Sequence, residues 1–399
     1  MTNLPRGNRS LMRGINRNIL LNAIKTEGPI SRADLAHYTG LSPATVTSIT
    51  GDLIAEGLIF EKETGDSSGG RRPILMALNP RGGFVVGVKL METHAVGALT
   101  DLNATILVKN SIAFPDNTVD GVIDSLVLLV NTLIRKGKVT KKSLLGVGVG
   151  LAGVVNSSTG MLRQSPFFGW KDTPLRDLLQ DRLHVPVSID NDVNTLTLGE
   201  KWLGAGLPED NFVVVTVGRG IGMGMVINGQ IVRGKSGGAG EFGHIVVDPN
   251  GPLCDCGKHG CLEAFLSDRA LLATAHRKVG EDVRDIDDLV NRASKGNPAA
   301  QQVLASAGTL LGREVANLVN ILDPKLIIIS GEGVRMGDAF FKPLLDSVAQ
   351  HVMPGLEKDT EIRLATWEDD VWARGAASVV IGGLFNSPIQ KEETSPIKH

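Results

Sequence analysis

The strongest constraint on the fold is a cluster of side chains suited to one metal ion. The chain of 399 residues contains three cysteines, Cys254, Cys256 and Cys261, which lie close together. With His244 upstream they offer three thiolates and an imidazole, a complete tetrahedral set for Zn²⁺, and a site with no open position is structural. We therefore predict one structural Zn²⁺ per chain, holding a loop, rather than a disulfide framework.

His259 is a second candidate for the fourth ligand. It stands between Cys256 and Cys261 in the sequence, where a fourth bond to the same ion would strain the loop, so His244 is favoured. Three reduced cysteines that bind no metal are the remaining alternative.

Composition places the chain among globular proteins of two or three domains. Hydrophobic residues make up 42%, charged residues 21%, and the net charge is −2, which excludes disordered and fibrous classes. The least charged segment, Ser143 to Leu162, is interrupted by glycines, so we predict no membrane span and no membrane partner. The N-terminus lacks the apolar core of a signal peptide, and we expect a cytoplasmic protein.

Residues 1–80 carry the pattern of a winged helix-turn-helix. An apolar stripe predicts a first helix over Ile15 to Glu27, and Ser31 caps a second helix that stops near Gly40. Ser42 and Pro43 begin a third helix, as N-cap and first helical residue. Two β-rich runs then predict a hairpin wing, and their bounds are Leu58 to Glu63 and Ile74 to Leu78.

The third helix is the predicted recognition helix. Its buried face holds Val46, Ile49, Leu53 and Ile54, which leaves small polar and methyl-bearing side chains for base edges in a major groove. The predicted DNA-binding residues are Ser42, Ala44, Thr45, Thr47 and Ser48 on this helix and Arg71 and Arg72 on the wing.

The charge of this module supports DNA binding only weakly. Residues 1–80 hold nine Lys and Arg against seven Asp and Glu, a net of +2. A module used for protein contacts is the alternative. The basic start, with Arg6, Arg9, Arg13 and Arg17, is equally consistent with a solvated arm and with an arm that follows a DNA groove.

From Phe84 onward the pattern is α/β with mixed sheets. The predicted strands are Phe84 to Leu90, Val96 to Asp101, Leu144 to Leu151, Val185 to Asp190, Phe212 to Val217, Gly224 to Ile227, Ile231 to Val232 and Leu326 to Ser330. The predicted helices are Val119 to Lys136, Pro174 to Leu183, Asp268 to Val279 and Pro298 to Asn320. Residues 386–399 are charged and contain proline, and we expect a flexible tail.

A polar set flanks the predicted zinc loop. Asn191 and Asp192 follow a strand, Glu241 and His244 lie in Glu-Phe-Gly-His, and Glu263 follows the last cysteine. Carboxylates and an amide beside an ordered loop can bind adjacent hydroxyls, so a monosaccharide is the natural ligand. Each acid taken singly could equally be an ordinary surface residue.

These motifs resemble the ROK family (repressor, open reading frame, kinase) from about Ile15 to Phe385. Its signature is similar to Glu241-Phe-Gly-His244 followed by Cys254-x-Cys256-Gly-x-x-Gly-Cys261-x-Glu263. The resemblance implies a two-lobed actin-like ATPase fold, with Asn191, Asp192, Glu241, His244 and Glu263 lining a sugar pocket between the lobes. In the family's kinases the residue matching Asp192 is the general base. Ser165 to Trp170 resembles a further substrate loop, in which Phe167 replaces a frequent asparagine.

The domain boundaries follow from the same resemblance. We predict a first lobe over 81–190, completed by about 370–385, and a second lobe with the zinc loop over 191–370. The N-terminal winged helix-turn-helix makes the chain similar to the xylose and N-acetylglucosamine repressor group of the family.

One departure from the family's kinases decides against catalysis. Their phosphate loop reads Asp-x-Gly-Gly-Thr, and here Lys89 replaces the carboxylate while Met91 and Glu92 replace the glycines. Glycine turns at 218–224 and 331–333 persist but are weak evidence. Because phosphoryl transfer needs a cradle for MgATP, we predict no enzyme, and Asp192 is then a vestigial base.

The sequence therefore favours a sugar-responsive DNA-binding regulator, most simply a repressor of carbohydrate-metabolism genes. Its expected partners are a pseudo-palindromic operator, a monosaccharide such as xylose, glucose or N-acetylglucosamine, and a second copy in a homodimer or higher homo-oligomer. The alternative is an ATP-dependent sugar kinase of the hexokinase or glucokinase type with an appended DNA-binding domain.

Overall fold

Helices and strands alternate through most of the chain, and the computed structural model describes residues 9–63, 73–356, 359–365 and 369–385. The helices are α1 (Arg9–Glu27), α2 (Arg32–Thr39), α3 (Pro43–Ala55), α4 (Val119–Gly137), α5 (Leu175–Leu183), α6 (Asp192–Leu203), α7 (Glu263–Leu266), α8 (Asp268–Lys278), α9 (Ile286–Ser294), α10 (Pro298–Leu322), α11 (Asp338–His351) and α12 (Asp369–Phe385). The strands of the N-terminal module are β1 (Ile30–Ser31), β2 (Ile59–Glu63) and β3 (Ile74–Leu78). The later strands are β4 (Phe84–Leu90), β5 (His94–Thr100), β6 (Ile106–Ala113), β7 (Leu144–Leu151), β8 (Val154–Asn156), β9 (Met161–Gln164), β10 (Lys171–Thr173), β11 (Val187–Asn191), β12 (Phe212–Val217), β13 (Ile221–Ile227), β14 (Gln230–Ile231), β15 (Leu326–Ser330) and β16 (Glu361–Leu364).

The N-terminal module has the predicted order of three helices and a hairpin. Ser31 Oγ accepts the N–H of Asp34 at 3.1 Å, and Ser42 Oγ accepts the N–H of Thr45 at 3.2 Å, so both predicted caps are confirmed. Strand β3 lies between β1 and β2 in an antiparallel sheet. The winged helix-turn-helix is therefore confirmed, while the tip of its wing, with Arg71 and Arg72, lies outside the described residues.

The prediction of a basic arm was wrong for the described part of that segment. Helix α1 begins at Arg9 rather than at Ile15. Arg13 forms an ion pair with Asp52 of α3, and Arg17 forms a bidentate pair with Glu56, with N···O distances of 2.7 and 2.6 Å. Because these guanidinium groups have partners on α3 or at its end, they brace the module internally. Arg6 lies outside the described residues.

Two mixed five-stranded sheets form the remainder and repeat one topology. The first has the order β11-β7-β4-β5-β6, and the second has the order β14-β13-β12-β15-β16. In each sheet the central strand pairs antiparallel with the next strand along the chain and parallel with a strand that follows a helical crossover. We call these sheets and their helices the first and second lobes. The predicted α/β class with two lobes is confirmed.

Helix α12 closes the first lobe, and glycines let it approach the sheet. A Cβ on Gly87 would lie 1.9 Å from the carbonyl oxygen of Ala373, and a Cβ on Gly148 would lie 1.9 Å from that of Ala376. Side chains at these two strand positions would push the helix away. Near its end, Ile381 and Phe385 join Leu20 and Met76 of the N-terminal module in one hydrophobic cluster.

Several elements were missed or displaced in the sequence analysis. Helices α6 and α12 are buried on more than one face, so they show no one-sided apolar stripe. Helix α11 contains Pro343, which normally disfavours a helix interior. Strand β13 begins at Ile221 rather than at Gly224, and β6, β8, β9, β10, β16 and helix α9 were not predicted. Within the described residues, the helices are all too short or too polar to cross a membrane.

Candidate binding cleft and metal site

A cleft of about 1260 Å³ lies between the two lobes. Its lining includes all members of the predicted polar set, namely Asn191, Asp192, Glu241, His244 and Glu263. Lys89, Met91 and Glu92 line it from the first lobe, and Phe167 lines it from the predicted substrate loop. Residues distant in sequence therefore meet in one cavity, as the resemblance implies.

Asn191 and Asp192 stand where strand β11 becomes helix α6. Asn191 caps that helix, because its Oδ1 accepts the N–H groups of Val193 at 2.9 Å and of Asn194 at 3.3 Å. Its Nδ2 donates to the carbonyl of Gly153 at 3.1 Å. Most of the hydrogen-bonding capacity of the Asn191 side chain is therefore used to fix the turn that presents Asp192. One amide hydrogen remains for a ligand.

The carboxyl group of Asp192 lies within the electrostatic influence of the Lys89 ammonium in the cleft. Desolvation raises the pKa of its carboxyl, and the ammonium of Lys89 acts in the opposite direction. The Lys89 Nζ atom also lies 3.6 Å from the ring centroid of Trp372 in α12. Lys89 thus places positive charge near the carboxyl group of Asp192, which the sequence analysis predicts to be a vestigial base.

Behind Asp192, a buried ion pair joins the two lobes, and the sequence analysis missed it. Asp190 in β11 is fully buried, and its Oδ2 accepts from Nε of Arg233 at 2.7 Å. Its Oδ1 accepts from Nδ2 of Asn194 at 3.1 Å and from the N–H of Asn191 at 2.9 Å. In the sequence, the only indication that Asp190 belongs to the site is its position next to Asn191. No sequence pattern indicates a role for Arg233.

Arg233 also anchors the segment that leads to Glu241. Its carbonyl accepts the N–H of Ala239 at 3.1 Å, which closes a loop before Glu241. Burial raises the pKa of the Glu241 carboxyl; His244 opposes that shift, while Glu263 and Asp192 add to it. Glu263 Oε2 accepts the N–H of Ile221 at 2.9 Å. Glu241 is therefore close enough to Glu263 and Asp192 for their charges to affect it, and Glu263 is held by a backbone contact.

The predicted metal ligands lie together. The ligand atoms of His244, Cys254, Cys256 and Cys261 are all within 4.8 Å of one another. The Sγ atoms of Cys256 and Cys261 are 3.6 Å apart, as are Sγ of Cys254 and Nδ1 of His244. A tetrahedral zinc ion with ordinary Zn–S and Zn–N bonds separates its ligands by roughly 3.5–3.8 Å. The donor set and its spacing therefore fit Zn²⁺.

The orientation of His244 allows it both predicted roles. Its Nδ1 faces the cysteines, and its Nε2 lies 3.9 Å from Oε2 of Glu241. His259, the rival ligand, instead places Nδ1 at 3.1 Å from the carbonyl oxygen of Gly251. Burial raises the pKa of the Cys254 thiol to about 12, so a cation is needed to hold this sulfur as a thiolate.

The loop itself depends on Gly260. This residue has φ of +71°, and a Cβ there would lie 1.5 Å from the carbonyl oxygen of Asp248. Only glycine allows the two segments to pack together beside Cys261.

The segment after β4 makes a second contact across the cleft. Glu92 of the first lobe forms an ion pair with Arg219 of the second, which belongs to the retained glycine turn. The Arg219 guanidinium carbon lies 4.9 Å from the ring centroid of Phe167. Charged and aromatic side chains therefore meet near the turns that would hold nucleotide phosphates in a kinase.

The predicted base-reading face lies apart from this cleft, on α3. Ser42, Ala44, Thr47 and Ser48 are exposed and Thr45 is half-buried, whereas Val46, Ile49 and Leu53 are buried. Ile54 is only half-buried, and Thr50 is buried in its place. Ser48 also accepts a hydrogen bond from Arg13 at 3.3 Å.

Comparison with known proteins matches this architecture. The model of the ROK family matches residues 85–382, and a model described as a winged helix-turn-helix DNA-binding domain matches residues 12–59. The chain belongs to the ROK family. Its N-terminal module is a winged helix-turn-helix of a DNA-binding type.

Regulators of this family cover nearly the whole chain. A xylose repressor of Bacillus spizizenii is 31% identical over 372 residues, which is 93% of this chain and 96% of that protein. The DNA-binding transcriptional dual regulator NagC of Escherichia coli K12 is 32% identical over 349 residues, 86% of each chain. The crystal structure of a ROK family transcriptional regulator, a homologue of the E. coli MLC protein, superposes with a TM-score of 0.85 at 27% identity, covering 95% of this chain and 98% of that one.

Proposed function

We propose that this protein is a sugar-responsive transcriptional repressor whose kinase-like domain binds a monosaccharide without phosphorylating it. The observation that carries the proposal is the presence, in one chain, of an exposed α3 face and a cleft that gathers Asn191, Asp192, Glu241, His244 and Glu263. One relative is named for xylose and another, from Escherichia coli O6:H1, for N-acetylglucosamine, and their identities to this chain are nearly equal at 31% and 32%. The effector is therefore assigned as a monosaccharide, and xylose, glucose and N-acetylglucosamine are the sugars to test first.

Two replacements in the predicted phosphate loop and one ion pair across the cleft argue against catalysis. Glu92 brings a carboxylate toward the region of the transferred phosphate. Lys89, in place of a metal-binding acid, lies over the ring of Trp372 and places its charge near Asp192. Arg219, which could meet a phosphate, is already paired with Glu92. A like charge beside the phosphates and the loss of the Mg²⁺ ligand both oppose phosphoryl transfer. Glucokinases and hexokinases of the family share the fold of the two lobes, so a sugar kinase remains the second candidate.

His244, Cys254, Cys256 and Cys261 would hold one structural Zn²⁺. The ion would fix the loop that carries His244 and precedes Glu263, and so keep two residues of the sugar site in place. We further propose that the protein acts as a homodimer or higher homo-oligomer, because two recognition helices related by symmetry match a pseudo-palindromic operator.

The proposal can be tested with purified protein and duplex DNA selected by the protein from a random-sequence pool. Fluorescence anisotropy at fixed salt measures DNA affinity with and without D-xylose, D-glucose or N-acetylglucosamine, because phosphate contacts make affinity salt-dependent. We expect one sugar to change DNA affinity, and no ADP to form when ATP and that sugar are present. Sugar-dependent ADP release would instead favour the kinase, and failure to select any DNA sequence would remove the regulator.

A further inference from the structure

Helix α6 extends from the cleft to the N-terminal module. It begins at Asp192, directly after Asn191, and its 12 residues end at Leu203, which makes it about 18 Å long. Trp202 lies in its last turn and contacts the N-terminal module. One rigid element therefore has its first residue in the proposed sugar site and its last turn against the DNA-binding part of the chain.

Helix α6 also lies between the two lobes. On one side, a Cβ on Gly222 of β13 would lie 2.5 Å from Cγ2 of Val193, so the second sheet approaches α6 closely. On the other side, a Cβ on Gly375 of α12 would lie 2.5 Å from the carbonyl oxygen of Thr195. Because α6 touches both lobes at short range, a change in the angle between the lobes must move α6 relative to at least one of them.

The contact at the far end of α6 is made by a lysine and two aromatic rings. Nζ of Lys25, in α1, lies 3.5 Å from the ring centroid of Trp202 and 4.9 Å from that of Phe385 at the end of α12. The two ring centroids are 5.5 Å apart. We call Lys25, Trp202 and Phe385 the joint. A cation over aromatic faces is a directional interaction, so its strength depends on how α1, α6 and α12 are placed.

The joint has room to rearrange. A cavity of about 290 Å³ lies beside it, lined by residues of α1, β3, α6 and α12, of the turn after α1 and of the segment after β5. Lys25 is the only titratable side chain among the described residues that line this cavity. The ammonium is therefore held chiefly by the two rings, and no carboxylate of that lining fixes it in one position.

Movement of α1 would be passed on to the recognition helix. Asn22 Nδ2 donates to the carbonyl of Phe385 at 2.9 Å, which fastens α1 to the end of α12. The bidentate pair between Arg17 and Glu56 fastens α1 to the end of α3. Helix α1, which carries Lys25 of the joint, thus connects the joint to helix α3 and its base-reading face.

We propose that the joint couples the sugar cleft to the DNA-binding module. The proposal rests on the proposed function, since it needs a sugar and an operator that affect each other's binding. Sugar binding at Asp192 changes the position of α6 between the lobes, and the geometry of Lys25 over Trp202 differs between the two lobe arrangements. The sugar shifts the equilibrium because it binds the two lobe arrangements with different affinities, and the joint makes the DNA-binding module respond to the same change.

The test measures the coupling factor, which is the ratio of operator dissociation constants with and without saturating sugar. The variants are Lys25→Met, which keeps the apolar stem, Trp202→Leu, which removes the ring system, and Lys25→Arg, which keeps a cation for the rings. Lys278→Met, at an exposed position in the last turn of α8, is the matched control. The same ratio is measured for sugar affinity with and without operator, because the two factors must agree.

Wild type and the Lys278→Met control should show a factor in the usual range of roughly 5 to 150. Lys25→Met and Trp202→Leu should each reduce it to less than about twofold while sugar affinity without DNA stays within about twofold of wild type, and Lys25→Arg should retain most of it. The double variant Lys25→Met with Trp202→Leu should lose no more coupling than either single variant, since both substitutions remove the same contact.

Retention of the wild-type factor in both Lys25→Met and Trp202→Leu would overturn the proposal while leaving the proposed function intact. Absence of coupling in the wild type would contradict the proposed function itself, and this inference with it. A melting curve for each variant identifies loss of folding. If Trp202→Leu does not fold, Trp202→Phe, which keeps a smaller ring, replaces it, and we then expect a partial loss of coupling.

Discussion

Removing the guanidinium of Arg233 tests whether the ion pair behind Asp192 holds the sugar site together. The change Arg233→Met leaves the fully buried Asp190 with donors on Oδ1 only, from Asn194 and Asn191, while Oδ2 loses its partner at 2.7 Å. Breaking a buried pair by removing one partner costs roughly 3–5 kcal/mol. The Arg233 side chain is 29% exposed, so water can replace part of the lost contact, and we expect about 3 kcal/mol.

The neutral double variant separates this charge effect from lost packing. Asp190→Asn in the Arg233→Met background removes the uncompensated carboxylate, so the double variant should be more stable than Arg233→Met alone. Urea denaturation followed by tryptophan fluorescence measures the loss of stability, and titration calorimetry measures sugar affinity. We expect weaker sugar binding in Arg233→Met because the segment that leads to Glu241 loses its side-chain ion pair with Asp190 of β11. Strictly additive effects of the two substitutions, with sugar affinity unchanged, would refute this reasoning.

Three further predictions concern the metal, the DNA face and the joint. Cys256→Ser should reduce the zinc content measured by elemental analysis from about one ion per chain to almost none. It should also abolish the effect of sugar on DNA binding. A metal-free wild type that still responds to sugar would contradict this prediction. Thr47→Ala should weaken binding to the selected duplex by roughly 1 kcal/mol with sugar affinity unchanged, whereas Thr309→Ala, at an exposed position on α10, should alter neither. Burial lowers the pKa of Lys25 from 10.5 to about 8. Between these two pH values the unfolded chain binds a proton that the folded chain does not, so the stability of wild type relative to Lys25→Met should rise from pH 8 to 10.5. A difference in denaturation midpoint that stays constant over this pH window would count against the prediction.

The sequence analysis succeeded where one local pattern determines one structure. The caps at Ser31 and Ser42 are signals of this kind, and both proved correct. The spacing of three cysteines after His244 likewise identified a cluster that the fold assembles. These features depend on neighbouring residues, so a single sequence contains the information needed to find them.

The features that were missed depend on contacts between distant segments. Helix α6 is buried between both lobes, so its amphipathic period is erased. Arg233 pairs with Asp190 across the lobes, and Lys25 meets Trp202 across the module boundary. In the sequence each of these residues is an ordinary charged or aromatic residue, because its partner is defined only by the tertiary fold.

The charge pattern of the cleft shows how a kinase-like fold can close without a nucleotide. In kinases, bound Mg²⁺ ions bridge the phosphates and neutralise their negative charge. Here Glu92 and Arg219 supply opposite charges from the two lobes directly, and Lys89 supplies the cation beside Asp192. The pair of Glu92 and Arg219 therefore provides attraction across the cleft without a nucleotide. If the proposed function is correct, we expect the sugar alone to set the balance between open and closed lobes, as an effector domain requires.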